Sequence, residues 1–117
     1  MASDYLRLQL ANEDREVFGV IFLNSDNKLI SFEKLFFGTI NEATIHARIV
    51  VKRALELNST AVILAHNHPS GNPMSSGHDI AITQSLKKIL NIVDVKLLDH
   101  IIVTKKECSS AINQIFL

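Results

Sequence analysis

Residues 60–79 read TAVILAHNHPSGNPMSSGHD, an apolar run that passes into a polar turn and then into the opening of a helix. TAVILAH is short and rich in β-branched residues, which suits a strand in a core. A helix is expected to start near Ser76, because Ile82, Leu86, Ile89 and Val93 recur at spacings of four and three and form one inner stripe. Strand, loop and helix in that order point to an α/β fold. Three of the chain's five histidines fall inside the loop. They belong either to a polar turn that begins a helix or to a metal site.

The flanking segments extend the pattern. VFGVIFL (17–23) is a continuous apolar run between NEDRE and NSDN, as expected of a strand buried on both faces. NSDNK is turn chemistry, and LISFEKLFFGT reads as the second strand of a hairpin that Gly38 closes. From Ala43 to Leu57 the period changes: Ala43, Ala47, Val50, Ala54 and Leu57 mark an amphipathic helix that Asn58 and Ser59 end. Downstream, VKLLDHIIVT is a further strand, KKE a turn, and AINQIFL a last short element of open type. The order β-β-α-β-α-β, with an optional final strand, predicts an α/β domain with a mixed β-sheet flanked by helices.

Composition narrows the function classes. A chain of 117 residues is expected to form one domain, long enough to bury a core. Twelve basic residues balance twelve acidic ones, so there is no overall electrostatic drive towards DNA or an anionic membrane. The single cysteine, Cys108, excludes an internal disulfide and a cysteine-based zinc site. No apolar run approaches the ~20 residues of a membrane span. MASDYLRLQL lacks a signal peptide's basic start and apolar core. The expectation is a cytoplasmic domain with no membrane partner.

Within the loop, His66 and His68 stand at i and i+2, so in extended chain both rings point to one side. Pro69 holds His68 in that extended conformation. The pair would sit at the C-terminal end of a buried strand, where α/β sheets place ligands. Ser76 and Asp79 have capping-box spacing. The box prefers Glu or Gln at its last position, and the shorter Asp is expected to make a poorer reciprocal bond. An Asp in the first helical turn is kept ionised by the helix dipole, as a metal ligand must be. Two histidines and an aspartate leave zinc a fourth position for water, the mark of a catalytic site. Glu16, where polar chain enters a buried strand, is the candidate base; Glu13 and Asp14 sit further out and read as solvated. Of the other histidines, His46 reads as surface, His78 as a solvated first-turn residue, and His100 as a satisfied core histidine within a strand.

HNHPSGNPMSSGHD matches the pattern His-x-His-Pro, six residues, Ser-x-x-Asp of the MPN/JAMM metalloproteases, the JAB-domain family. The wider frame, REVFGVIFLN, LFFGTIN, ILAHNHPSG and LLDHIIV, resembles their bacterial RadC-type branch from about Glu16 to Val103. The resemblance implies a cytidine-deaminase-like MPN/JAMM fold and a zinc ion held by His66, His68 and Asp79. It also implies Glu16 as base for the zinc-bound water, Ser76 as the hydroxyl that helps hold the oxyanion, and a peptide or protein substrate cut at an amide or isopeptide bond. Three positions depart from the family pattern: HARI at 46–49 replaces His-Pro-Arg-Glu, Asn72 stands where Asp is common, and no Tyr lies near Cys108. The whole chain is expected to be one such domain, without the helix-hairpin-helix region of full-length RadC proteins. The competing function is a non-catalytic or DNA-associated accessory module built on the same fold. Other zinc enzymes fit less well. There is no His-Glu-x-x-His, a deaminase would need cysteine ligands, and the metallo-β-lactamase pattern fails at Ser70 and Gly71.

Overall fold

The computed structural model describes residues 2–112. Its elements are α1 (Ala2–Leu10), β1 (Val17–Leu23), β2 (Leu29–Phe37), α2 (Ala47–Glu56), β3 (Ala61–Asn67), α3 (Gly77–Ile92), β4 (Lys96–Val103) and β5 (Cys108–Ser110). The five strands form one sheet in the order β2-β1-β3-β4-β5. β3 and β4 run parallel through the α3 crossover, and the other neighbours are antiparallel. The mixed sheet flanked by helices is therefore present.

All seven residues of β1 are buried, as its unbroken apolar run requires for a strand covered on both sides. On one face Phe18, Val20, Phe22, Val62 and Leu64 pack against Val50 and Ala54 of α2 and Ile82, Leu86 and Leu90 of α3. On the other, Val17, Ile21, Ala65, Ile101 and Val103 pack against Leu6 and Leu10 of α1. Gly19 faces this second layer. A Cβ there would lie 2.7 Å from the Phe32 ring, so the close crossing of β1 and β2 needs the missing side chain. At the β1–β2 turn Asn24 Oδ1 accepts from the N–H groups of Asp26 and Lys28, and Asn27 takes φ 57°.

Several boundaries differ from expectation. α1 has no counterpart in the sequence reading. α2 begins at Ala47 rather than Ala43, because Asn41 Oδ1 already accepts from the N–H groups of Ala43 and Thr44 and folds residues 41–44 into a turn. The inner stripe of α3 runs through Leu90, with Ile89 only half-buried and Val93 at the C-cap. It also carries two buried polar groups, Asp79 and Thr83. The final strand is Cys108–Ser110, just before AINQIFL, of which residues 113–117 lie outside the described residues.

Candidate metal centre

Antiparallel pairing of β1 with β3 puts the start of one beside the end of the other, with Phe18 opposite His66. The chain segment carrying Glu16 is thereby brought next to the two histidines. His66 is fully buried, its ring stacked on Phe18 at 6.1 Å. Past the strand end, His68 still donates its backbone N–H to Val103 at 2.9 Å and so stays extended, as Pro69 demands. The two Nε2 atoms lie 2.8 Å apart.

Asp79 reaches both rings from the first turn of α3. Its Oδ1 is 3.0 Å from His66 Nε2 and its Oδ2 is 3.1 Å from His68 Nε2. The same Oδ2 accepts the Ser76 N–H at 2.7 Å, while Ser76 Oγ accepts the Asp79 N–H at 3.1 Å. Both halves of the capping box are present, and the reciprocal bond from Asp is the shorter one. The expected weakness of that bond is corrected: one carboxylate closes the box and faces the histidines together. Burial alone would favour the neutral acid of Asp79. Hydrogen bonding to His66 and His68, with the Ser76 N–H, outweighs it and holds the group well below the usual carboxylate range. The hydrogen bond to Asp79 raises His68 above an ordinary imidazole, against its partial burial.

Proton counting shows what these atoms can hold. His68 Nδ1 lies 2.7 Å from the Asn72 carbonyl oxygen, which can only accept, so Nδ1 carries the proton and neutral His68 turns a lone pair on Nε2 inward. Oxygens of Asp79 face the same point. A small space ringed by acceptors fits a cation, and nitrogen and oxygen donors suit zinc. Glu16, His66 and His68 also bring ligand-type atoms within 4.8 Å of one another. Glu16 is half-buried; its Oε2 accepts the Ile40 N–H at 3.1 Å and its carbonyl accepts the Gly38 N–H at 2.9 Å. The five residues singled out from sequence, Glu16, His66, His68, Ser76 and Asp79, thus meet at one place.

An open cleft of about 480 Å³ leads there, lined by Glu16, Ile40, His68, Met74, Ser76 and His78 among others. His46 is exposed, stands at the N-cap of α2 and touches Phe36 edge-on, away from the cleft lining. Exposed His78 pairs through Nδ1 with Glu42 Oε2 at 2.5 Å. His100 is the buried histidine expected, yet it touches the centre: its Nε2 is 2.9 Å from His66 Nδ1, and its Nδ1 is 2.6 Å from Thr83 Oγ1. Burial, then the nearby His66, push His100 down to about 3, so it is neutral.

Asn67, between the two histidines, went unread in the sequence. Its Oδ1 accepts the Val17 N–H at 2.6 Å, and its Nδ2 donates to the carbonyls of Arg15 at 2.9 Å and Glu13 at 3.3 Å. The buried amide therefore straps down the backbone on both sides of Glu16. A buried-strand position occupied by Asn was the available signal, since a buried amide must find partners.

This topology is that of an α/β domain of the JAB/MPN type, with titratable groups gathered where strand ends meet a helix start. The chain belongs to the RadC-like JAB domain family, whose model matches residues 1–115. It is 55% identical to a UPF0758 protein of Methylibium petroleiphilum over 102 residues, 87% of this chain and 46% of that protein. A UPF0758 protein of Vibrio cholerae is 48% identical over 109 residues, 93% of this chain and 69% of the relative. One of Haemophilus ducreyi is 50% identical over 105 residues, covering 90% and 47%. The chain spans about half the length of most of these relatives. Among the described residues no helix is long and apolar enough to cross a membrane.

Proposed function

We propose that this domain is a zinc-dependent hydrolase of amide bonds, peptide or isopeptide, in a protein substrate. His66, His68 and Asp79 hold the ion, Glu16 is the general base and Ser76 assists the oxyanion. One observation carries the reading: two ring nitrogens and a carboxylate converge within 3.1 Å, with Glu16 beside them, at an open cleft. Zinc bound there supplies a Lewis acid that polarises the scissile carbonyl and makes water acidic near neutral pH.

The protein's own groups complete the chemistry. The Ile40 N–H anchors one carboxylate oxygen of Glu16, so the side chain is oriented before substrate arrives. Glu16 then takes the proton from the attacking water and passes it to the leaving amine. Ser76 accepts from the Asp79 N–H and still has its hydroxyl proton to give to a developing oxyanion, a contribution of about 3 kcal/mol if it matches other such donors.

The test is a screen of peptide and isopeptide-linked substrates with zinc-loaded protein, run beside Glu16→Gln. Cleavage by the wild type and not by the variant supports the reading. Equal cleavage by both removes Glu16 from the mechanism. No cleavage of any substrate by zinc-loaded wild type favours a non-catalytic module.

A further inference from the structure

We infer that Thr83 and His100 are positioning residues that fix the tautomer of His66, keeping the Nε2 lone pair of His66 available to the ion. The inference rests on the metal-centre reading above. It follows from a buried row of contacts behind the site. The Asp79 carbonyl oxygen is 2.7 Å from Thr83 Oγ1, which is 2.6 Å from His100 Nδ1; His100 Nε2 is in turn 2.9 Å from His66 Nδ1. All four residues are at most 1% exposed, so water cannot substitute for a missing partner.

With both rings neutral, two proton arrangements are open to this row, and only one of them makes all three of its hydrogen bonds. In one, Thr83 donates to His100 Nδ1, His100 Nε2–H donates to His66 Nδ1, and His66 Nε2–H donates to Asp79 Oδ1 at 3.0 Å. That arrangement covers the nitrogen a cation needs. In the other the two bonds to His100 reverse: His66 Nδ1–H donates to His100 Nε2, His100 Nδ1–H donates to Thr83 Oγ1, and Thr83 is free to give its hydroxyl proton to the Asp79 carbonyl. Only the second leaves His66 Nε2 bare. The reversal changes no net charge: it exchanges the bond from His66 to the Asp79 carboxylate for one from Thr83 to the Asp79 carbonyl, and so completes every bond of the buried row. Asp79 thus stands at both ends, its carboxylate at the ion position and its carbonyl at the terminus of the row. A residue with no hydroxyl at position 83 would leave His100 Nδ1 without a buried partner in either arrangement.

The test uses the full 117-residue chain and zinc. Long-range proton–nitrogen NMR of the zinc-loaded wild type is expected to place the proton on Nδ1 of both His66 and His100. A His100 protonated on Nε2 in that complex overturns the inference. By competition with a chelator, Thr83→Val is expected to bind zinc about 10–100-fold more weakly, while Thr83→Ser stays close to wild type. Wild-type affinity in a folded Thr83→Val protein, or equal losses in Thr83→Ser and Thr83→Val, also overturns it. Wild-type protein that binds no zinc refutes instead the metal centre itself.

Discussion

Glu16 and His68 border the same space for different reasons, and substitution separates them. Glu16→Gln keeps an oxygen that accepts the Ile40 N–H, so the variant is expected to retain stoichiometric zinc and lose about 10²–10⁴-fold in turnover. Metal analysis and hydrolysis rates on one sample check both halves. His68→Ala removes an inward-facing nitrogen; full zinc content in that variant would show that the ion sits elsewhere. Asn67→Ala strips the Val17 N–H of its partner and is expected to cost about 1–3 kcal/mol in denaturant unfolding. It should also slow turnover more than it lowers zinc content, because it loosens the strand entrance at Glu16. At this scale the candidate ligands were legible because each pair is close in the chain: two rings two residues apart, a hydroxyl and a carboxylate three apart. The contacts of Thr83 with His100, of His100 with His66, and of Asn67 with the β1 entrance were opaque because those partners arrive by strand pairing and helix docking. No local spacing reveals those contacts.

Among the elements, α1 shows best why a reading by period fails. Leu6, Leu8 and Leu10 alternate, yet the segment is a helix that buries Leu6 and Leu10 at i and i+4 and leaves Leu8 84% exposed. Nine residues carry too few turns for the helical stripe to stand out. The helix is held by what it covers, the second face of the sheet. Leu10→Ala is therefore expected to cost about 2–5 kcal/mol, measured by the urea midpoint, as for other buried leucines. A change under about 0.5 kcal/mol would mean that the helix does not seal that face. The start of α2 was misplaced for a different reason: the Asn41 side chain competes with the helix for its first N–H groups. β1 and β3, whose patterns are set by burial over seven residues, and the mostly half-buried β2, whose start the NSDNK turn marks, were read with their correct type and near-correct ends.

For the molecule as a whole, the mixed sheet followed from element order and the two-sided burial of β1 from its unbroken apolar run, but α1, the helix that covers the second face, was not read. Stability of the metal-free protein should report the buried centre through its pH dependence. His68, raised above its ordinary 6.5, contributes fully below that pH and loses the contribution above it. Asp79, depressed below its ordinary 3.8, contributes fully above that pH and loses it only in stronger acid. Between about pH 4 and 6.5 the changing group among these is His100. Neutral in the fold down to about 3, it binds its proton first in the unfolded chain. Unfolding free energy is therefore expected to fall with acidification there, with a slope approaching 1.36 kcal/mol per pH unit, and to flatten in His100→Gln. A flat wild-type profile in that window would contradict a buried neutral His100. Zinc at ~1,000 times its dissociation constant should add about 4 kcal/mol. The account's central claim is tested most directly by anomalous diffraction at the zinc edge from crystals of the zinc-loaded chain. The expected result is one ion bonded to His66 Nε2, His68 Nε2 and an Asp79 oxygen at about 2.0–2.2 Å; no peak there, or an ion held by other residues, would contradict it.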